Sequence, residues 1–155
     1  MRFTTFSSPF GELLLAGDDA GLRHLSFDIE RIEAGWERDD AALTRARDEV
    51  LGYLAGRRRQ FSVDIAPVGG EAQRAVWAAV RRIPYGTTRT YGELARRLGD
   101  DVAVISVTRA VAANPLPLLV PCHRLVTAGG PGSWPGGVAL KRRLLALEAG
   151  DAAAR

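Results

Sequence analysis

The chain has 155 residues, of which 46% are hydrophobic, and carries a formal net charge of +3 at pH 7. This length and composition predict one large or two small domains with a buried core. A single cysteine excludes a framework of internal disulfides, and one cysteine with two histidines is too few for a zinc site built from protein ligands alone.

The sequence shows no sign of export or membrane insertion. The N-terminus Met1-Arg2-Phe3-Thr4 has no apolar signal-peptide core, and no stretch approaches the length of a transmembrane helix. Together with the single cysteine, this predicts a protein of the reducing cytoplasm that does not contact membranes.

The charge is unevenly distributed along the chain. Residues 1–69 carry nine Arg against twelve Asp and Glu, a balance of −3, whereas residues 70–155 carry twelve Arg and Lys against six acids, a balance of +6. The basic second half indicates where a polyanion such as DNA would bind. Arginine-rich, solvated helix faces are the alternative explanation.

Residues 1–68 are predicted to form a small N-terminal α/β domain. Alternating apolar residues and turns indicate three short strands with hairpin spacing, at residues 3–7, 13–16 and 22–27. A helix is expected from Asp39 or Asp40 to about residue 55, and a last strand over residues 61–65. Nothing in this domain indicates catalysis.

Residues 69–155 are predicted to form a C-terminal domain. The stretch Pro67-Val68-Gly69-Gly70 is a break in composition and is interpreted as the linker. Residues 71–82 then have the apolar spacing of a helix, which Pro84 and Gly86 end.

Two further helices indicate a helix-turn-helix. Thr90 and Glu93 have the spacing of a capping box, which predicts a helix over residues 91–98 that ends at Gly99. A third helix is expected over about residues 103–113. Two short helices joined by a tight turn in a basic domain are typical of DNA binding, although small helical cores share the pattern. The predicted inward residues of the third helix are Val104, Val107 and Val111, and the outward ones are Ile105, Thr108 or Arg109, and Ala112.

The only cysteine lies at a rigid, cationic turn. Cys122 follows Pro121 at the end of the apolar run 116–120, and precedes His123 and Arg124. A thiol attacks as its thiolate, and nearby positive charge lowers the pKa of the thiol, so this pattern indicates a nucleophile. The alternative is a small buried hydrophobic residue at a strand end.

The last predicted helix, about residues 138–149, places a carboxylate on its apolar side. Leu144 and Leu145 set the apolar stripe, and Glu148 falls on it four and three residues later. A carboxylate there is costly unless it is paired. A catalytic role stays open beside a structural one, in which Glu148 pairs with Lys141 or reaches water at the helix end.

The C-terminal half carries several spaced motifs in a fixed order: Ile83-Pro84-Tyr85-Gly86, residues 90–95, Asn114-Pro115-Leu116-Pro117, Pro121-Cys122-His123-Arg124, Gly136-Gly137, Lys141 and residues 144–148. This set resembles the O6-alkylguanine-DNA alkyltransferases, also called methylated-DNA–protein-cysteine methyltransferases. The resemblance covers residues 70–150 in detail and the N-terminal third in outline. It implies an α+β fold, with a small ribonuclease H-like domain followed by a winged-helix-like domain that carries the helix-turn-helix and the cysteine.

The resemblance implies direct reversal of DNA damage. Glu148 would orient His123, which through a water molecule deprotonates Cys122. The thiolate would then take the alkyl group from O6 of guanine, with O4-alkylthymine as a second candidate substrate. No cofactor or metal is needed, and the stable thioether consumes the protein after one transfer.

The same resemblance implies how DNA is bound. The helix-turn-helix would contact double-stranded DNA through the minor groove, and the alkylated nucleotide would be flipped into the protein because its O6 lies inside the base stack. Tyr91 would rotate the base, and Asn114 would brace the helix-turn-helix against the active-site turn as part of the catalytic group. Without the resemblance, Tyr91 is interpreted as an aromatic residue packed at the start of a helix, and Asn114 as a residue that forms an Asn-Pro turn. Further expected DNA contacts are Thr90, Ile105, Arg109 and Arg124, with Arg124 either structural or facing phosphate.

Three residues depart from the family's motifs. Ile105 occupies the position of an arginine finger that fills the gap left by the flipped base; an apolar wedge can enter the stack but cannot hydrogen-bond the orphaned cytosine. Arg109, one turn on, is the candidate substitute. Trp134 is expected to wall the pocket, whereas Pro135 lacks the N–H that the family directs at guanine O6, a loss on the order of 10²-fold in rate. The predicted substrate pocket consists of Leu125, Trp134, Pro135, Gly136 and Gly137. In it, the backbone carbonyls of Cys122 and Leu125 would face the guanine amine.

These departures keep a second function open. A non-enzymatic sensor that binds damaged DNA would not need the arginine finger or the missing donor, although it would not need Cys122 and His123 either. A thiol hydrolase or a pure transcription regulator is a weaker alternative, since the first lacks an oxyanion loop and the second has no use for the Cys-His-Glu set. No further exposed apolar stripe calls for a partner subunit, so a monomer is expected.

Overall fold

The computed structural model describes residues 1–151 and separates into two compact units. The first is Met1–Pro67, and the second begins at Val68. Within residues 1–151, no helix is both long and apolar enough to cross a membrane.

A four-stranded sheet and one helix form the N-terminal unit. The elements are β1 Arg2–Ser8, β2 Gly11–Asp18, β3 Gly21–Ser26, β4 Glu37–Arg38 and α1 Thr44–Leu54. The strand order is β3-β2-β1-β4, with β1 antiparallel to β2 and parallel to β4. Gly11 closes the first hairpin at a φ of 100°, an angle that glycine adopts without strain.

The central strand β2 is buried on both faces. Leu14 and Ala16 pack with Phe3 of β1 on one face. Leu13 and Leu15 point to the other face, because side chains alternate along a strand, and they are also fully buried. This explains why a continuous apolar run, rather than an alternating one, marks this strand.

The predicted last strand at residues 61–65 is wrong. Only an isolated bridge joins Ile65 to Leu22. The N–H groups of Ser62 and Val63 instead donate to Oε1 of Glu49 on α1, at 2.8 and 3.2 Å. The carboxylate thus takes backbone donors that a strand ladder would need.

The first helix begins later than predicted, at Thr44 rather than at Asp39 or Asp40. The side chain of Asp39 accepts a hydrogen bond from the N–H of Ala42 at 3.0 Å, and Asp40 accepts one from the Thr4 hydroxyl at 2.8 Å. Aspartate side chains that bind in this way stabilise a turn in competition with the helix.

Replacing Glu49 by glutamine is expected to destabilise the N-terminal unit by about 1–3 kcal/mol, because the neutral amide loses charge-assisted hydrogen bonds. Burial raises the pKa of the Glu49 carboxyl, but the hydrogen bonds from Ser62 and Val63 outweigh it, so the pKa lies below its ordinary value of 4.5. The stabilisation is therefore complete above about pH 4.5 and is lost as the pH falls through the lowered pKa. Urea denaturation at a series of pH values measures both effects.

The matched control for that variant is Glu30→Gln, since Glu30 is exposed. Its stability should differ from the parent by less than about 0.5 kcal/mol at every pH. If the two variants behave alike, the carboxylate of Glu49 does not hold residues 62 and 63 against α1.

The described part of the C-terminal unit contains four α-helices, a pair of short strands and one 3-10 turn. They are α2 Glu71–Arg81, β5 Arg89–Thr90, α3 Tyr91–Leu98, α4 Val104–Ala112, the turn Cys122–Arg124, β6 Leu125–Val126 and α5 Val138–Glu148. Trp77 of α2 is buried, and its indole N–H donates to the Ala110 carbonyl of α4 at 2.8 Å. This hydrogen bond fixes α2 against α4.

Helices α3 and α4 form the predicted helix-turn-helix. The Thr90 hydroxyl accepts a hydrogen bond from the N–H of Glu93 at 3.1 Å, which caps α3. Gly99 ends α3 at a φ of 153°. Helix α4 buries Val107 and Val111, as predicted.

Val104 was predicted to face inward, and this is wrong: its side chain is 47% exposed. It shares the face of Val107, but residues 103–106 are all exposed, so no part of residues 1–151 covers the first turn of α4. The next residue, Ile105, is 58% exposed. Two large apolar side chains therefore stand side by side at the start of this helix.

The short parallel pair β5–β6 brings the start of α3 to the cysteine turn. Arg89 lies opposite Leu125 and Thr90 opposite Val126. The strand that leads into α3 is therefore paired with the strand that directly follows the Cys122–Arg124 turn.

Candidate active site at Cys122

Cys122 begins a tight turn at the end of a buried apolar segment. Leu116 and Val120 are fully buried, and the N–H of Arg124 donates to the Pro121 carbonyl at 3.0 Å. Cys122 itself is 2% exposed. It is thus buried, as the structural alternative predicts, but polar groups of Asn114 and Trp134 bind its sulfur.

Asn114 connects the end of α4 to this turn. Its side-chain amide donates to the Val120 carbonyl at 3.0 Å and to the Cys122 sulfur at 3.2 Å. Its side-chain oxygen accepts from the N–H of Leu116 at 2.9 Å. The residue therefore forms a local turn and also holds the thiol, so both interpretations of Asn114 are compatible with its contacts.

The thiol is protonated at rest. Burial raises the pKa of Cys122 above its usual value, whereas hydrogen bonds from Asn114 and Trp134 and the charge of Lys141 act in the lowering direction. Burial dominates. A base must therefore remove the proton before the sulfur can attack, since only the thiolate is a strong nucleophile.

His123 has the properties of such a base. Its Nε2 lies 2.8 Å from Oε2 of Glu148, and the ring is fully buried. A carboxylate at this distance keeps the proton on Nε2 and leaves Nδ1 to accept one. Burial lowers the pKa of His123, although Glu148 raises it, so the ring is neutral near neutral pH.

Arg124 is a buried partner of Glu148. Its Nε donates to Oε1 of Glu148 at 2.8 Å and its Nη2 to Oε2 at 3.0 Å, while Nη1 donates to the Ile83 carbonyl at 2.7 Å. The guanidinium also lies 5.6 Å above the ring of Tyr85. Arg124 is buried and paired with Glu148, which agrees with the structural alternative for this residue, while its contact with DNA stays a prediction.

Glu148 pairs with His123 and Arg124, and it also accepts from the N–H of Gly86 at 3.2 Å. The alternative partner Lys141 is wrong: its ammonium donates instead to the carbonyls of Leu125 and Ser133, at 2.6 and 3.3 Å. The motif Ile83-Pro84-Tyr85-Gly86 thus contacts the ion pair from both sides, since Gly86 donates to Glu148 while Ile83 and Tyr85 contact Arg124. The sequence alone did not suggest this role.

The sequence also did not identify Lys141 as part of this site. Its side chain is 0% exposed, although lysine is rarely buried. One signal was available. Lys141 is the only lysine of the chain, and every other permanently cationic side chain is arginine.

The segment before α5 covers the site. Trp134 is buried, and its ring meets that of His123 edge-on at 6.3 Å. Gly136 is required here, because a Cβ at this position would lie 2.4 Å from the Trp134 ring. Pro135 is exposed and has no N–H, and Gly137 precedes α5 at a φ of 92°.

Leu125 contributes its backbone to the site. Its side chain is fully buried, and its carbonyl accepts from Lys141. The Cys122 carbonyl accepts from the N–H of Leu125. A carbonyl oxygen has two lone pairs, so both carbonyls keep one acceptor position for a substrate amine.

Apart from Arg124, the residues predicted to act on DNA lie around the cluster rather than within it. Tyr91 is half-buried, and both burial and the charge of Cys122 raise its pKa. Thr90 caps α3. Ile105 and Arg109 lie on the exposed side of α4, one turn apart.

Comparison with known proteins identifies both units. The ribonuclease-like domain of 6-O-methylguanine DNA methyltransferase matches residues 1–67, and the DNA-binding domain of the same protein matches residues 71–150. These matches confirm the predicted α+β fold and its two kinds of domain.

Relatives match over nearly their whole length. The methylated-DNA–protein-cysteine methyltransferase of Methanosarcina acetivorans is 39% identical, over 96% of this chain and 98% of that protein. The enzyme of the same name from Mycolicibacterium paratuberculosis is 38% identical, over 96% of this chain and 92% of that protein.

A solved structure has the same fold. The crystal structure of Mycobacterium tuberculosis OGT in complex with DNA matches with a TM-score of 0.91 and 37% identity, covering 98% of this chain and 95% of that one. The predicted family is confirmed, and the chain belongs to the 6-O-methylguanine DNA methyltransferases.

Proposed function

We propose that this chain repairs DNA by moving the alkyl group of O6-alkylguanine irreversibly onto Cys122. The observation that carries the proposal is the buried thiol followed by His123, whose Nε2 is held 2.8 Å from Glu148. The relatives named as methylated-DNA–protein-cysteine methyltransferases support the same activity. The alternative of a sensor without chemistry is not favoured, because such a protein has no need of a thiol, a base and an orienting carboxylate.

The reaction is a single displacement. Nδ1 of His123 takes the thiol proton through a water molecule, and Glu148 stabilises the imidazolium that forms. The thiolate attacks the alkyl carbon, so a C–S bond forms as the C–O6 bond breaks. The guanine recovers its oxygen and takes up a proton, which balances the one that the thiol lost. No group of the site can hydrolyse the thioether, so each molecule acts once.

The buried position of Cys122 requires base flipping. A sulfur that is 2% exposed cannot reach an oxygen inside a duplex, so the nucleotide must leave the stack and enter the protein. Helices α3 and α4 lie in the basic half of the chain and present Tyr91 and Ile105 as candidates for this step. In the proposal they bind the minor groove, and one monomer acts on one lesion in the cytoplasm.

Val104 and Ile105 supply the wedge in the proposed complex. They are 47% and 58% exposed at the start of α4, where a large apolar side chain has no partner within the described part of the unit. Apolar side chains that enter a base step unstack it and bend the duplex. Ile105 therefore fills the vacated space by its volume, without the hydrogen bonds that an arginine makes.

The variant Ile105→Arg is expected to speed transfer from duplex DNA several-fold, because arginine can also hydrogen-bond the orphaned base. Transfer from the free base O6-methylguanine should stay unchanged, since no stack has to be filled. Single-turnover rates on the two substrates measure the difference. Thr108→Arg, which adds the same charge at another exposed position of α4, is the control. A similar gain in both variants would mean that charge alone, and not the wedge position, limits the reaction.

The stoichiometry of repair tests the proposed function. Increasing amounts of protein are mixed with excess duplex that contains one O6-methylguanine, and the restored guanine is counted. The proposal requires a plateau at one guanine per protein molecule that longer incubation does not raise. Continued turnover, or no restored guanine although the duplex is bound, would overturn it.

A further inference from the structure

Within residues 1–151, Lys141 is a fully buried cation without a carboxylate partner. Its Nζ donates to the carbonyls of Leu125 and Ser133, at 2.6 and 3.3 Å, and these dipoles hold it in place. Within residues 1–151 no Asp or Glu lies within ion-pair distance of its Nζ. Burying an ammonium group is costly unless an opposite charge compensates it, so an anion is expected near Nζ of Lys141.

Both carbonyl partners belong to segments that contact Cys122. Leu125 directly follows the Cys122–Arg124 turn, and its N–H donates to the Cys122 carbonyl. Ser133 precedes Trp134, whose indole interacts with the sulfur. The ammonium is therefore anchored between the turn that carries the thiol and the segment that covers it.

The charges of the two side chains act on each other. The positive charge of Lys141 acts to lower the pKa of Cys122. Burial lowers the pKa of Lys141, and the charge of Cys122 acts to raise it again. Each group is costly to ionise alone in this interior, and each becomes less costly to ionise when the other is charged.

We infer that Lys141 is the counter-ion of the Cys122 thiolate, a residue whose buried ammonium stabilises the attacking sulfur by charge while His123 removes its proton. The inference rests on the proposed function and deepens it, since it names the group that makes the thiolate accessible in a buried site. Lys141 positions charge and takes no part in bond making.

The other groups that face the sulfur do not supply this charge. Asn114 and Trp134 are neutral donors. His123 is neutral until it takes the thiol proton, and Glu148 then pairs with its charge. Burial together with the charge of Cys122 keeps Tyr91 neutral. Arg124, on the same turn, is neutralised by Glu148.

The composition of the chain gives a direct test. Cys122 is the only cysteine and Lys141 the only lysine, so each can be observed without overlap. The ultraviolet absorbance of the thiolate, taken as the difference from the same protein with Cys122→Ala, reports the titration of the sulfur in the absence of DNA. Protein labelled with ¹³C-lysine shows one ε-carbon signal, which reports the titration of Lys141.

In Lys141→Met the titration midpoint of Cys122 is expected to rise by at least about one pH unit, which lowers the thiolate fraction and the transfer rate near pH 7 about tenfold. Raising the pH should restore part of the rate. Arg142→Met, an exposed neighbour on α5, should leave both the midpoint and the rate unchanged. A folded Lys141→Met protein with the parental midpoint would overturn the inference, even if its rate of transfer fell.

The reciprocal measurement does not depend on the stability of that variant. Charge coupling is mutual, so the midpoint of Lys141 should be lower in Cys122→Ala than in the parent protein. An unchanged lysine titration would overturn the inference. Neither titration requires alkyl transfer, so failure here is distinct from failure of the proposed function.

Discussion

Cys122→Ala is expected to abolish alkyl transfer completely while the protein still binds DNA. The sulfur is the only atom of the site that can form the new bond to the alkyl carbon, and no other thiol exists in the chain to replace it. Glu148, His123 and Arg124 keep their partners, because they bind one another rather than the sulfur. Transfer is measured as restored guanine, and binding as a mobility shift with the same duplex.

The stability of this variant separates chemistry from structure. Removing one buried sulfur costs about 1 kcal/mol, which leaves a folded protein. Normal binding together with no transfer is the expected combination. If DNA binding is lost as well, Cys122 is needed to hold the turn, and its loss would then say nothing about a nucleophile.

Glu148→Gln is expected to have the second largest effect. The amide keeps the size of the side chain but loses the charge, so the buried Arg124 is left without its counter-ion and His123 without its orienting carboxylate. Breaking a buried ion pair from one side costs about 3–5 kcal/mol. Transfer should slow by at least about 10²-fold, since the same carboxylate also raises the pKa of His123 and makes it a better base.

Two measurements test this prediction together. Urea denaturation gives the loss of stability, and the rate of transfer at several pH values gives the loss of basicity. Glu71→Gln, which removes an exposed carboxylate at the start of α2, is the control and should change stability by less than about 1 kcal/mol. A stable Glu148→Gln protein with the parental rate would remove Glu148 from the mechanism.

Local signals in the sequence predicted most of the C-terminal unit. The Thr90 hydroxyl caps the first turn of α3 by accepting from the N–H of Glu93, and Gly99 ends that helix, so its bounds follow from neighbouring residues alone. The inward face of α4 was correct at Val107 but wrong at Val104. Helical spacing tells which side a residue takes, whereas burial depends on what covers that part of the helix.

Features that depend on distant contacts were harder to predict. Residues 61–65 have the composition of a strand, but Glu49 binds their backbone from α1, twelve or more residues earlier in the chain. Arg124 looked available for phosphate because nothing near it in sequence shows that Glu148 and Ile83 bind it. Such pairings appear only when the fold brings the partners together.

The nucleophile and its base could be predicted because they lie in one short motif. Cys122 and His123 are adjacent in sequence, and Glu148 stood out as a carboxylate on an apolar helix face. The burial of Lys141 was missed because a lysine on a helix is normally solvated. The composition does single out Lys141 as the only lysine in a chain that otherwise uses arginine. The function of that lysine follows only from where the structure places its side chain.

The most direct test of the account is the mass of the intact protein after incubation with an excess of duplex that carries one O6-methylguanine. Unmodified duplex and Cys122→Ala serve as controls. The account predicts a gain of one methyl group in the parent protein, located on the peptide that contains Cys122, with no gain in either control. An unchanged mass, although the protein binds the modified duplex, would contradict transfer to Cys122.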